Sequence, residues 1–331
     1  MENNTKHNAK RRTLGLLSAI VLAQAPFFAH TAHAQVKNES STTTLRIGFQ
    51  KYGTLTLLKG TGALDKRLAE RGISVKWSEF PAGPQLLEGL NVGSIDFGTT
   101  GEAPPIFAQA AGADLVYVAN EPPAPQGEAI IVAKDSTIKT VAELKGKKIA
   151  LNKGSNVHYL LVNALQRAGV GYHEVQTIFL PPADARAAFE RGSVDAWAIW
   201  DPFLAAAEKQ LGARTLSNGV GIVKNHQFYL ASRTFAQKNP EVIRIIIEEL
   251  HKTDEWGSKN LKEVTEILSA QIGLEPSIVE LSARRLGFGV KLIDEQVIQE
   301  QQKIANTFFD LKLIPKPIQI KDAVWSPVNS K

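Results

Sequence analysis

The chain has 331 residues, 44% hydrophobic and 21% charged, the composition of a globular protein with room for two domains. It has no cysteine, which excludes thiol nucleophiles, thiolate metal sites, disulfides and a lipid-modified N-terminal cysteine. The net charge of +5 sits largely in the first 34 residues. Removing Lys6, Lys10, Arg11, Arg12 and Glu2 from 38 basic and 33 acidic residues leaves 34 and 32, a net of +2 that gives no case for nucleic acid.

That leader reads as a secretory signal. Lys10 to Arg12 is its basic start, Thr13 to Phe28 its apolar stretch, and Ala32-His33-Ala34 a small-x-small site with cleavage expected after Ala34. The apolar stretch is shorter than the roughly 20 residues of a membrane span. Residues 35–44 are polar and aperiodic, a disordered lead-in.

Ordered structure is expected from the alternating strand Leu45 to Phe49. A helical pattern from Leu57 to Glu70 stops at Gly72, and Ile73 to Trp77 alternates again. Gly83 to Leu90 suits a helix, Ile95 to Phe97 a short strand, Ala103 to Ala111 a helix with Pro104 and Pro105 in its first turn, and Leu115 to Val118 a strand. Pro122 to Pro125 marks a border. Beyond it, strands at Ala129 to Ala133, Lys148 to Leu151, Val175 to Leu180 and Val194 to Ile199 alternate with helices at Val157 to Ala168 and Ala183 to Phe189. This rhythm predicts two α/β units, each with a mainly parallel sheet. From Pro240 onward the spacing is helical, with no new strands expected: Pro240 to Leu268, Glu275 to Leu286 and Asp294 to Phe308. An internal echo, Leu90 to Phe97 against Phe189 to Ala196, aligns a helix end, a capping glycine and a strand, and predicts lobes of similar topology with a cleft between them.

Anions suit strand-to-helix junctions, where unpaired N–H groups and the helix dipole converge. Candidates are Gln50 with the loop after it; Thr99, Thr100, Gly101 and Glu102 before a helix; and Ser155 with Asn156 before another. Capping accounts for part of the last two, and a plain polar loop for the first. After the strand ending at Ile199, Trp200 suits an apolar wall for a ligand tail. Asp201 suits a helix cap before Pro202, or a charge that selects against some anions.

Phe80 to Gln85, Phe107 to Tyr117, Pro182 to Phe189 and Val194 to Pro202 resemble the aliphatic sulfonate-binding proteins of ABC importers, and the likeness runs from about Leu45 to Pro317. The resemblance implies a two-lobed, type 2 periplasmic-binding-protein fold with two hinge strands near Glu128 to Lys134 and Gln227 to Arg233. Residues 45–127 and 226–331 then form lobe 1, and 128–225 lobe 2. It implies an alkanesulfonate bound unreacted in the cleft, by Gln50, Thr99, Thr100, Gly101, Ser155, Asn156 and Trp200. Delivery to a membrane permease with a separate ATPase, a monomer and no cofactor follow. With no anchoring cysteine, a periplasmic location is expected. Glu102 stands where aspartate is expected, so its longer side chain is expected to push toward the cleft, and Ser155 to His158 replaces a more serine-rich stretch. Taurine, nitrate and other small anions are ligands of relatives with this fold.

Enzyme readings find little support. His158, His173, His226 and His251 show no metal-ligand spacing, and neither a nucleophile elbow nor a phosphate loop is present. His158 near Ser155 suits a first-turn polar residue better than a Ser–His pair. A pyrimidine-synthase-type enzyme on the same fold needs a cysteine-rich motif that this chain lacks.

Overall fold

The computed structural model describes residues 43–326; the leader, its cleavage site and most of the lead-in lie outside them. The first sheet begins with β1 (Thr43–Phe49), α1 (Gly53–Thr61), α2 (Ala63–Ala69), β2 (Ile73–Glu79), α3 (Gly83–Asn91), β3 (Phe97–Gly101), α4 (Pro104–Ala110) and β4 (Leu115–Asn120). The chain then crosses to a second sheet of β5 (Glu128–Val132), β6 (Lys148–Leu151), α5 (Asn156–Arg167), β7 (Gln176–Phe179), α6 (Pro182–Glu190), β8 (Ala196–Trp200), α7 (Phe203–Leu211) and β9 (Arg214–Asn218). It returns through β10 (Gln227–Ser232) to α8 (Arg233–Lys238), α9 (Pro240–Gly257), α10 (Leu261–Ile272), α11 (Pro276–Ala283), β11 (Lys291–Leu292) and α12 (Glu295–Asp310).

The sheets run β11-β4-β10-β3-β1-β2 and β7-β6-β8-β5-β9. Most strands in each are parallel. The crossover strands β5 and β10 are inserted antiparallel, because each enters its sheet from the opposite end. The expectation of no strand beyond Pro240 is corrected by β11, two exposed residues paired with the edge of β4 and too short to show periodicity. One helical pattern divides: α1 and α2 are separated at Gly62, whose φ of 66° breaks the turn. β1 starts at Thr43, two residues early, because Thr43 and Thr44 pair with Ile73 and Ser74.

Both faces of each sheet are covered, so the inner strands are nearly all apolar. On β10, Tyr229 and Ala231 join a core with Ile47, Leu55, Ile246 and Leu250, while Phe228 and Leu230 join one with Leu86, Ile106, Ile304 and Phe308. In the second sheet Ile130 and Val132 face α5, and Ala129 and Ile131 face α6 and α7.

The sequence echo is a structural repeat. Gly93 and Gly192 both take positive φ, 73° and 66°. Ser94 N–H donates to Gly89 O, and Ser193 N–H to Ala188 O, each at 2.8–2.9 Å. Asp96 accepts the N–H of Arg46 on β1 at 2.9 Å, and Asp195 accepts that of Lys148 on β6 at 2.7 Å. Each aspartate fixes where its strand starts against the first strand of its sheet. Sheet order repeats too, with β2-β1-β3-β10-β4 matching β7-β6-β8-β5-β9. The homologous strand ends therefore point at each other across one cleft.

Asp96→Ala should lower unfolding free energy in chemical denaturation by about 1–3 kcal/mol, since Arg46 loses its buried acceptor. Asp195→Ala should cost less, because Asp195 is exposed.

Candidate functional site

The cleft is built from the loops that end β1, β3 and β8 and from the first residues of α1, α3, α4 and α5. The free space left inside it is small, about 40 Å³. Gln50, Tyr52, Gly53, Gly83, Thr99, Gly101 and Pro104 come from one sheet's elements. Ser155, Asn156 and Trp200 come from the other's, and Glu121, Gly127, Asn225 and Gln227 from the crossover segments. Among the described residues no lysine, arginine or histidine lines it.

The donors are backbone. The N-cap residues of α1, α3 and α5 are Tyr52, Ala82 and Ser155, and none caps its helix with its side chain. The first N–H groups of these helices have no intrahelical acceptor. Those of Gly53, Gly83, Asn156 and Val157 find none elsewhere among the described residues. Ser155, the expected cap, instead donates its hydroxyl to Asn152 O at 2.7 Å. α4 differs. Pro104 and Pro105 have no N–H, and Ala103 N–H is taken by Asn156 Oδ1 at 3.2 Å. That junction shapes the cleft and supplies few donors to it.

Six of the nine expected residues line the cleft: Gln50, Thr99, Gly101, Ser155, Asn156 and Trp200. Gln50 Nε2 donates to Thr99 O at 3.1 Å, and Thr99 Oγ1 to Phe228 O at 3.2 Å. Asn156 reaches from α5 to the other sheet's side, where its Nδ2 also donates to Asn225 Oδ1 at 2.5 Å. It fits because position 101 is glycine: a Cβ there would lie 2.1 Å from the Asn156 amide.

Three expected residues do not line it. Thr100 alternates to the opposite side of β3 from Thr99 and Gly101, fully buried, its hydroxyl donating to Gly101 O at 3.0 Å. Glu102 turns away, so its extra methylene does not trim the cleft. Its carboxylate accepts His226 N–H at 3.0 Å and borders a separate cavity with Arg167, Glu300 and Lys303. Asp201 is buried behind Trp200, where it accepts Ala205 N–H at 3.0 Å and faces Arg285 Nη1 at 3.4 Å.

The missed residues left uneven signals. Gly83 opens a helix after a strand, the same junction rule that selected Ser155. Glu121, Gly127, Asn225 and Gln227 lie in crossover segments, where only the closing of the chain brings them together. No Ser–His pair forms: His158 accepts Gly154 N–H at Nδ1, bonds Tyr172 through Nε2, and is pushed down to about 4 by burial and then by Lys153.

Buried acids surround the site. Desolvation raises Glu121 to about 8, with Asp254 adding to the shift and the Tyr229 and Thr54 bonds opposing it. Glu102 rises to about 7 and Asp201 to about 7, each chiefly by burial, with Arg285 opposing the shift at Asp201. Glu128, fully buried with neither oxygen hydrogen-bonded, is raised well above its ordinary value by burial and by Glu102.

Two α/β units closing on a cleft at their strand ends, joined by two crossover strands, define a solute-binding protein of the periplasmic-binding-protein fold. The chain belongs to the NMT1/THI5 like family, which it matches over residues 68–260, and within it to the aliphatic sulfonates-binding proteins. It is 47% identical to the Escherichia coli (strain K12) protein of that name over 89% of this chain and 92% of the relative. It is 33% identical to that of Bacillus subtilis (strain 168) over 95% of this chain and 94% of the relative. Among solved structures it is similar to the alkanesulfonate-binding protein SsuA from Xanthomonas axonopodis pv. citri bound to MOPS, with 41% identity and a TM-score of 0.81 over 86% of this chain and 98% of that one.

Gly101→Ala should clash with Asn156 and hold the lobes apart, read as a larger radius in small-angle scattering with ligand than wild type shows. The raised acids set the pH profile. Between the ordinary value of 4.5 and the folded values of about 7 and about 8, the unfolded chain has released protons that folded Glu102 and Glu121 keep. Stability therefore falls as pH rises through that window. The melting temperature should be lower near pH ~8 than near pH ~5, and Glu121→Gln should shrink the difference.

Proposed function

We propose that this protein is the extracytoplasmic solute-binding subunit of an ABC importer. It holds an alkanesulfonate unreacted in the cleft and delivers it to a membrane permease driven by a separate ATPase. On this reading the leader is removed after Ala34 and the mature chain works in the periplasm as a monomer. Residues 45–127 with 226–331 close on 128–225 about the crossover strands β5 and β10.

The observation that supports it is the meeting, among the described residues, of unpaired helix N–H groups from both sides in one cleft with no cationic side chain. A sulfonate offers three oxygens that accept hydrogen bonds and stays charged at every physiological pH. It needs donors, not a proton partner. Gly53 and Gly83 on one side, with Asn156 and Val157 on the other, supply donors in that arrangement. A ligand touching both sides stabilises the closed state by its differential affinity. Trp200, half-buried and set edge-on to Phe203 at 6.3 Å between ring centroids, offers apolar surface to the alkyl tail. No described helix is long and apolar enough to cross a membrane.

Calorimetric titration with alkanesulfonates of increasing length tests this. Binding with return of unchanged ligand is expected, and turnover or silence toward every sulfonate contradicts it. Trp200→Ala should weaken longer chains more than methanesulfonate, by about 1–2 kcal/mol for the lost apolar contact. Thr100→Ser, away from the cleft, should leave the order of affinities unchanged.

A further inference from the structure

Beside the cleft, aromatic rings from its two sides meet. Phe107 on α4 and Phe308 on α12 pack edge to face with centroids 4.8 Å apart. From α5, the His158 ring lies nearly parallel to Phe107 at 6.2 Å and tilted to Phe308 at 5.7 Å. Tyr159 meets Phe308 edge to face at 5.8 Å. Gly154, in the loop before α5, comes close to the same rings: a Cβ there would stand 3.2 Å from the Phe107 ring. Aromatic pairs at such separations attract beyond the area they bury.

His158 is held in place for this contact. Its Nδ1 accepts Gly154 N–H at 3.2 Å, so the neutral ring carries its proton on Nε2 and donates to the Tyr172 hydroxyl at 2.6 Å. The Phe179 ring stands edge-on to it at 5.8 Å. Burial keeps the His158 ring uncharged at neutral pH, so it packs as an aromatic rather than as a cation. Phe308 is as deeply buried, while Phe107 and Tyr159 are half-buried and pack on the core around Ile106 and Ile304. None of these four side chains lines the cleft. Yet His158 and Tyr159 directly follow Asn156 and Val157, whose N–H groups open on it.

We infer that Phe107, Phe308, His158 and Tyr159 form an aromatic latch across the two sides, and that these residues set ligand affinity and the rate of release without touching the ligand. This rests on the reading of residues 45–127 with 226–331, and of 128–225, as lobes that close on a sulfonate. Phe107 and Phe308 belong to the first, His158 and Tyr159 to the second. A rotation about β5 and β10 that draws α5 away from α4 and α12 parts the three cross-lobe pairs and wets their faces. A contact made only in the closed state shifts the equilibrium toward that state, and apparent affinity follows the closed fraction. The latch acts alike on every ligand, because its rings do not meet the tail. Chain-length preference stays with Trp200 and the cleft.

The test is Phe107→Ala, titrated calorimetrically with methanesulfonate and octanesulfonate, with release timed by stopped-flow tryptophan fluorescence. Both affinities should fall by the same factor, about tenfold for a lost aromatic contact, and release should quicken to match while association changes little. Phe107→Leu keeps apolar packing on the core beneath α4 and should show a smaller loss of the same kind, so the result does not hang on one variant folding. His158→Leu should weaken binding too. The double variant should lose less than the two single losses combined, since each change alone already parts the same pair. Unchanged affinity and release in both Phe107 variants overturns the latch and leaves the sulfonate reading standing. So does a loss confined to one chain length, or a double variant whose losses simply add. Wild-type protein that binds neither sulfonate overturns the sulfonate reading itself, and the latch with it.

Discussion

Helix starts left without caps are the constraint on which the rest depends. An N–H group at a helix start costs free energy when it is buried unpaired, and most helices answer with a side-chain oxygen. Here α1, α3 and α5 do not, and all three open on the same cleft. The sequence avoids the local remedy: Ala82 cannot cap, and Ser155 turns its hydroxyl to Asn152. The donors stay available only because two copies of one topology face each other, each register fixed by an aspartate at the same place, Asp96 and Asp195.

The same geometry explains which parts were legible beforehand. Strands buried on both faces announce themselves as apolar runs, so Leu115 to Val118 and Ala129 to Ala133 were readable, as was the glycine echo at 93 and 192. β9 and β11 were not, because the partly exposed Arg214–Asn218 is polar and Lys291–Leu292 is too short to carry a period. In the cleft, junction chemistry picked out Gln50, Gly101, Ser155 and Asn156, which line it. It also picked out Thr100 and Glu102, which face elsewhere, since a strand sends alternate side chains to opposite sides. Asn225 and Gln227 lie over a hundred residues from Gly101, and only the return of the chain through β10 brings them there.

The acids around the site run against the simple picture of an anion pocket. Glu121, Glu128, Glu102 and Asp201 are all buried near it, and all are pushed toward the protonated form, chiefly by loss of water. Such groups cost stability as pH rises through their folded values. Asn156 adds a second coupling. It bridges the two sides through Ala103 and Asn225, so the closed arrangement already has a contact of its own before a ligand adds to it. The ligand then has to favour a state that the protein has partly prepared.

Backbone amide shifts in the labelled protein, followed as an alkanesulfonate is added, bear most directly on the claim that helix starts from both sides hold the anion. The N–H signals of Gly53, Gly83, Asn156 and Val157 should move together and saturate with one affinity. Shifts confined to one side, or centred on the separate cavity beside Glu102 and Lys303, would contradict it.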